Sequence, residues 1–115
     1  MQKSKLWNQV NYLIEEIQSF FSDKVKNFAV LDFYDNDNTE EFSVEFEAYS
    51  YFYIRINYDK GKLAFAVETS DHLVFFPFDS FWETADFDVL FQDLQEEIEL
   101  RIPDKFLKVH GWLKK

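Results

Sequence analysis

The sequence predicts an α+β domain: an N-terminal helix, an antiparallel sheet of four to five strands, a second helix and a docked C-terminal tail. Three observations carry that reading. Apolar residues near both ends recur at helical spacing, those between recur at every second position, and no strand–helix–strand unit of a parallel sheet occurs. At 115 residues the chain forms one domain, 1–115. A domain of that size buries roughly two-thirds of its unfolded surface and needs no metal or disulfide to fold.

The first helix follows from Leu6, Val10, Leu13, Ile17 and Phe20, an apolar stripe widened by Trp7, Ile14 and Phe21. Asn11, Glu15, Glu16 and Gln18 fall on the opposite, wet side, and Ser4 suits an N-cap. Residues 28–34 are rich in aromatic and branched side chains and read as a strand, stopped by the turn-forming Asp-Asn-Asp-Asn at 35–38. Phe42, Val44, Phe46 and Ala48 then alternate with polar neighbours, and Phe52, Ile54, Ile56 and Tyr58 continue in phase. That run exceeds ordinary strand length, so a turn or bulge near 48–50 divides it, though no Gly or Pro marks the place.

A hairpin turn is expected at 59–62. A loop of even length pairs Ile56 with Phe65 and Ile54 with Val67, keeping the apolar sets on one face, whereas an odd loop mixes the faces. Residues 73–78 form a further strand, with Pro77 marking an edge or strand end. Phe87, Leu90, Phe91, Leu94, Ile98 and Ile102 recur as a second helical stripe, closed by Pro103. Ser80 with Glu83, Thr84 or Asp86 are its candidate caps. The tail carries Phe106, Leu107, Val109, Trp112 and Leu113, too apolar to stand free, and should dock on the domain. The two main helices lie on one side of the sheet or one on either side.

Twenty-two acids against twelve bases give a net charge of −10. Such a chain is a poor binder of nucleic acid, whose phosphates demand clustered Lys and Arg. The acid is concentrated: residues 28–100 hold 18 acids against Arg55, Lys60 and Lys62, a net of −15. Asp79, Glu83, Asp86, Asp88, Asp93, Glu96, Glu97 and Glu99 lie in a stretch without a base. A second cluster comprises Asp35, Asp37, Glu40, Glu41, Glu45 and Glu47. Self-repulsion of this kind costs stability, so it is either a solvated face or the complement of a basic partner. On strand parity Glu45 and Glu47 share a face with Tyr49, Tyr51, Tyr53 and Arg55, putting acid beside a tyrosine row. Tyr and Arg are enriched among residues that anchor interfaces. If a helix covers that face, the row is instead the edge of the core.

Catalytic constellations are missing, and no enzymatic activity is expected. The chain has no cysteine, which excludes disulfides, thiol nucleophiles and iron–sulfur clusters. Gly61 and Gly111 are the only glycines, too few for a phosphate-binding loop or nucleophile elbow. Ser70, Asp71 and His72 are consecutive and cannot converge as a triad, and His110 reads as a packing or surface residue. Residues 35–40 begin like a calcium loop but lack its sixth-position glycine and place Phe46 where the bidentate Glu belongs. That leaves at most a weak, adventitious cation site; no metal or cofactor is expected. No leader peptide or apolar run of membrane-spanning length is visible, so a cytoplasmic protein without a membrane partner is expected.

In size, acidity and aromatic content the whole chain resembles the small acidic immunity proteins of bacterial toxin systems, and phage inhibitors that mimic nucleic acid. The resemblance implies a protein-binding inhibitor that occludes a basic partner such as a toxin or nuclease. The expected binding residues are Glu45, Glu47, Tyr49, Tyr51, Tyr53 and Arg55, with Asp86, Asp93, Glu96, Glu97 and Glu99 on the second helix. Two other readings stay open. One is an accessory subunit with apolar contacts; the other is a small-molecule pocket between helix and sheet, for which 24 aromatics supply a lining. The chain is expected to be a monomer or a weak homodimer through an edge strand.

Overall fold

The computed structural model describes residues 5–113, so the Ser4 cap lies outside the described residues. The chain is α+β, as the sequence predicts. Helix α1 (Lys5–Phe21) leads through a 3-10 turn into strands β1 (Val25–Asp35), β2 (Glu40–Ala48), β3 (Phe52–Asp59), β4 (Lys62–Glu68) and β5 (Leu73–Phe81). Helices α2 (Phe87–Leu100) and α3 (Asp104–Val109) follow. The five strands form an antiparallel meander in chain order.

All three helices pack on one face of the sheet. Leu6, Val10, Leu13, Ile17 and Phe21 of α1, and Leu90, Phe91, Leu94 and Ile98 of α2, share one core with the alternating apolar residues of the strands. Leu107 of α3 joins it, with Phe106, Trp112 and Leu113 packed alongside, so the tail docks as expected. Among the described residues, no helix is long and apolar enough to cross a membrane.

The β3–β4 hairpin turns through Lys60 and Gly61, both at positive φ, a two-residue loop that pairs Ile56 with Phe65 and Ile54 with Val67. Parity alone selected that register, because an odd loop would have exposed half of the apolar set. Asp86 caps α2, its Oδ1 accepting the Val89 N–H at 3.3 Å. The other proposed caps, Ser80 with Glu83 and Thr84, lie in β5 or the 3-10 turn (Trp82–Thr84) that precedes α2. At 35–38 the Asn36 side-chain oxygen accepts the Asn38 and Thr39 N–H groups, each at 3.0 Å, which closes the turn.

Both sheet edges are irregular. The first strand is longer than its apolar pattern suggested and carries two register shifts, where Asn27 and Asp32 adopt positive φ. The last strand shifts register between its Ala64 and Ala66 partners, at the stretch containing Pro77. Bulges and a missing N–H shorten the run of free hydrogen-bonding groups that an edge offers to another strand.

Candidate interface on the uncovered sheet face

With the helices all on one side, the second face of the sheet carries no helix. Cross-strand rows map it. One row reads Ala29, Glu45, Arg55, Ala66 and Phe75; the next reads Leu31, Ser43, Asn57, Ala64 and Asp79; an outer row reads Tyr34, Glu41, Asp59, Lys62 and Phe81. On the other side of the Glu45 row stand Lys26, Glu47 and Tyr53, and Glu68 opposite Leu73. Glu45, Glu47, Tyr53 and Arg55, four of the predicted binding residues, therefore share one uncovered face.

The tyrosine row does not form. Tyr49 and Ser50 both adopt positive φ in the β2–β3 turn, and this breaks the alternation that would have kept Tyr49 beside Tyr53. Tyr49 turns inward and is fully buried; its hydroxyl donates to Glu99 Oε2 at 2.6 Å and its ring meets Trp112 edge-on. Burial first, and then the bond to Glu99, raises the Tyr49 pKa well above the ordinary phenol range. Tyr51 stays in the turn and packs edge-on against Phe106 of α3. Only Tyr53 of the three stands on the open face, 37% exposed.

The second helix contributes less free acid than its composition implies. Asp86 is the cap, Glu97 accepts from Arg101 at 3.4 Å, and Glu99 holds the Tyr49 hydroxyl. Asp93 and Glu96 remain exposed on the helix side of the core, behind the sheet from Glu45. The two groups of predicted residues thus lie on opposite sides of the molecule and cannot form one interface.

Arg55 is pinned flat against the open face. Its Nη2 donates to Asp32 Oδ2 and to Ser43 Oγ at 3.3 Å, its Nε donates to Asn57 Oδ1 at 3.2 Å, and Ser43 Oγ donates to the same Asn57 oxygen at 2.7 Å. The side chain predicted to reach a partner is consumed inside a network, and its charge is answered by Asp32. Around it the carboxylates are in excess. Among the described residues no ion pair involves Glu41, Glu45, Glu47 or Glu68, although Glu47 accepts the Asn27 amide at 2.8 Å.

Glu68 was missed by the sequence reading, because its proximity to Glu45 is diagonal across the sheet. Burial, a hydrogen bond with Glu45 and that residue's negative charge push the Glu68 carboxyl up to about 7, against a smaller pull from Arg55. Its ordinary value is about 4.5, so the folded chain holds an extra proton between these limits, and stability falls as pH rises through the window. Glu68→Gln removes that dependence. On a partly exposed site the gain is about 1 kcal/mol near pH 8 and vanishes near pH 4. Urea melts of both proteins at the two pH values measure it; parallel pH profiles would refute the shared proton.

No family model matches the sequence, and no curated protein or solved structure does. The residues themselves must carry the reading. Among the described residues no cluster of His, Cys, Asp or Glu is arranged to hold a metal ion, the 35–40 loop included. The space between α1 and the sheet is occupied by Leu13, Ile17, Ile54 and Phe65, all but sealed from solvent. A cleft of about 440 Å³ lies instead at one end of the sheet, where α1 begins, between Tyr58, Trp82 and the charged rim of Lys5, Lys60, Glu40 and Glu83.

Proposed function

We propose that this chain is a small acidic protein-binding module that inhibits a basic, nucleic-acid-processing protein by covering the surface with which that protein grips phosphate. One observation carries the reading: a whole sheet face is left without a helix, and its carboxylates outnumber its available bases. Among the described residues Glu41, Glu45, Glu47 and Glu68 form no ion pair, with one proton shared between Glu45 and Glu68, while Arg55 is held by Asp32. Assembling like charge on one face opposes folding, and a partner with clustered Lys and Arg relieves it. Carboxylates in that position occupy the side chains that would bind phosphate, and Tyr53 supplies an amphipathic anchor at the β2–β3 end of the face.

Capture by the tagged chain at low and at high salt tests the proposal. The expected result is a basic protein retained at low salt, lost at high salt, and inhibited when the chain is added back to it. A partner retained equally at both salts would favour the accessory-subunit reading. The helix side supplies the control: reversing Asp88, Asp93 and Glu96 to Lys should leave capture within about twofold, because these acids face away from the open sheet. A loss of capture comparable with reversals on the sheet would move the interface to α2.

A further inference from the structure

The open face is not uniform. A depression of about 290 Å³ lies over β2 and β3, walled by the Asp32, Glu41 and Asp59 carboxylates and floored by the Ser43–Arg55–Asn57 network. A second, of about 320 Å³, lies over β4 and β5, where the β5 bulge lifts Pro77 beside Phe75 and Ala64. The Lys62–Asp79 pair, 3.7 Å apart, closes its rim and leaves no net charge there. Phe75 is 53% exposed on this side, a large apolar surface with nothing over it among the described residues. One depression therefore suits a cation and the other an apolar side chain, and they adjoin where Asn57 of the first pairs with Ala64 of the second.

Resting on the reading as a binder of basic proteins, we infer that the partner docks through one segment that places a Lys or Arg in the first depression, among the Asp32, Glu41 and Asp59 carboxylates, and an apolar side chain in the second, against Ala64 and Pro77. The depressions' centres, near Ser43 and Asn57 and near Ala64 and Pro77, lie at one level along the strands and two strand spacings apart, about 10 Å. A helix puts residues i and i+7 about 10.5 Å apart on one side. A strand puts same-side residues about 7 or 13 Å apart. The spacing thus fits two turns of a helix. Charge argues against other occupants: a second copy docked by the same face would bring carboxylates to carboxylates, and nucleic acid would bring phosphate to them.

Panning phage-displayed random peptides of about 12 residues, long enough for two helical turns, supplies the probe. Enriched peptides should pair Lys or Arg with an aromatic or aliphatic residue seven positions away. Titrated as labelled synthetic peptides, they should bind Glu41→Lys about tenfold more weakly at low salt, with the gap closing at high salt. Ala64→Arg should weaken them about tenfold at either salt, by filling the second depression. Asp93→Lys should bind as wild type. If Ala64→Arg melts early, Phe75→Ala, a truncation at an exposed site, tests the same depression. Basic peptides that ignore the face variants and are weakened by Asp93→Lys would overturn this docking mode and move the interface to α2, but spare the reading as a binder of basic proteins. Enrichment of no basic peptide would overturn both.

Discussion

Reversing Glu45 and Glu47 together to Lys should weaken partner binding by about a hundredfold at low salt, roughly 3 kcal/mol, mostly through slower association. Both stand on the uncovered face, in adjacent rows opposite Arg55 and Tyr53. Lysines there would meet the partner's own bases, so the change replaces attraction with repulsion. The fold should survive, because among the described residues the side-chain bonds lost are Glu47 to Asn27, worth about 1 kcal/mol, and the proton shared by Glu45 and Glu68, which a lysine at 45 replaces with an ion pair. Association rates measured at several salt concentrations, beside a melting curve of the variant, check both halves. Wild-type association by a folded variant would remove Glu45 and Glu47 from the interface.

The largest stability effect should come from Tyr49. It is fully buried, its ring packs edge-on against Trp112, and its hydroxyl is held by Glu99. Tyr49→Ala empties that site at a cost of about 3–5 kcal/mol, and the melting temperature should fall by about 15 °C. Tyr49→Phe keeps the packing and removes only the hydroxyl, so about 1 kcal/mol is expected. Tyr53→Ala, on the open face, should barely change melting but speed dissociation of the partner. Thermal melts of the three variants separate a core tyrosine from a surface one. Equal melting of Tyr49→Ala and Tyr53→Ala would contradict the inward turn of Tyr49.

These contrasts also mark what the sequence made legible. The α1 stripe and the β3–β4 register were readable because each follows from periodicity, which is imposed by a single core that all elements share, and the docked tail because it is too apolar to stand free. The fate of Tyr49 was not readable. Strand length called for a turn near 48–50, and the chain turns there, but parity still placed Tyr49 with Tyr53; the positive φ of Tyr49 and Ser50, which no glycine announced, turned it inward. The pinning of Arg55 and the proton-sharing of Glu68 were not readable for a different reason. Their partners, Asp32 and Glu45, lie on other strands, and β1 brings Asp32 to Arg55 through a bulge that no local pattern encodes. The acids of α2 were counted correctly but assigned too freely, since a cap, an ion pair to Arg101 and a buried tyrosine claim three of them.

The central claim, that the helix-free face of the sheet receives the partner, is tested most directly by hydroxyl-radical footprinting of the free and partner-bound chain. Tyr53 and Phe75 are exposed on that face, whereas Val89 and Leu100 are exposed on α2. The account predicts that oxidation of Tyr53 and Phe75 falls several-fold on binding while Val89 and Leu100 react as before. Protection of Val89 and Leu100 with Tyr53 and Phe75 unchanged would contradict it.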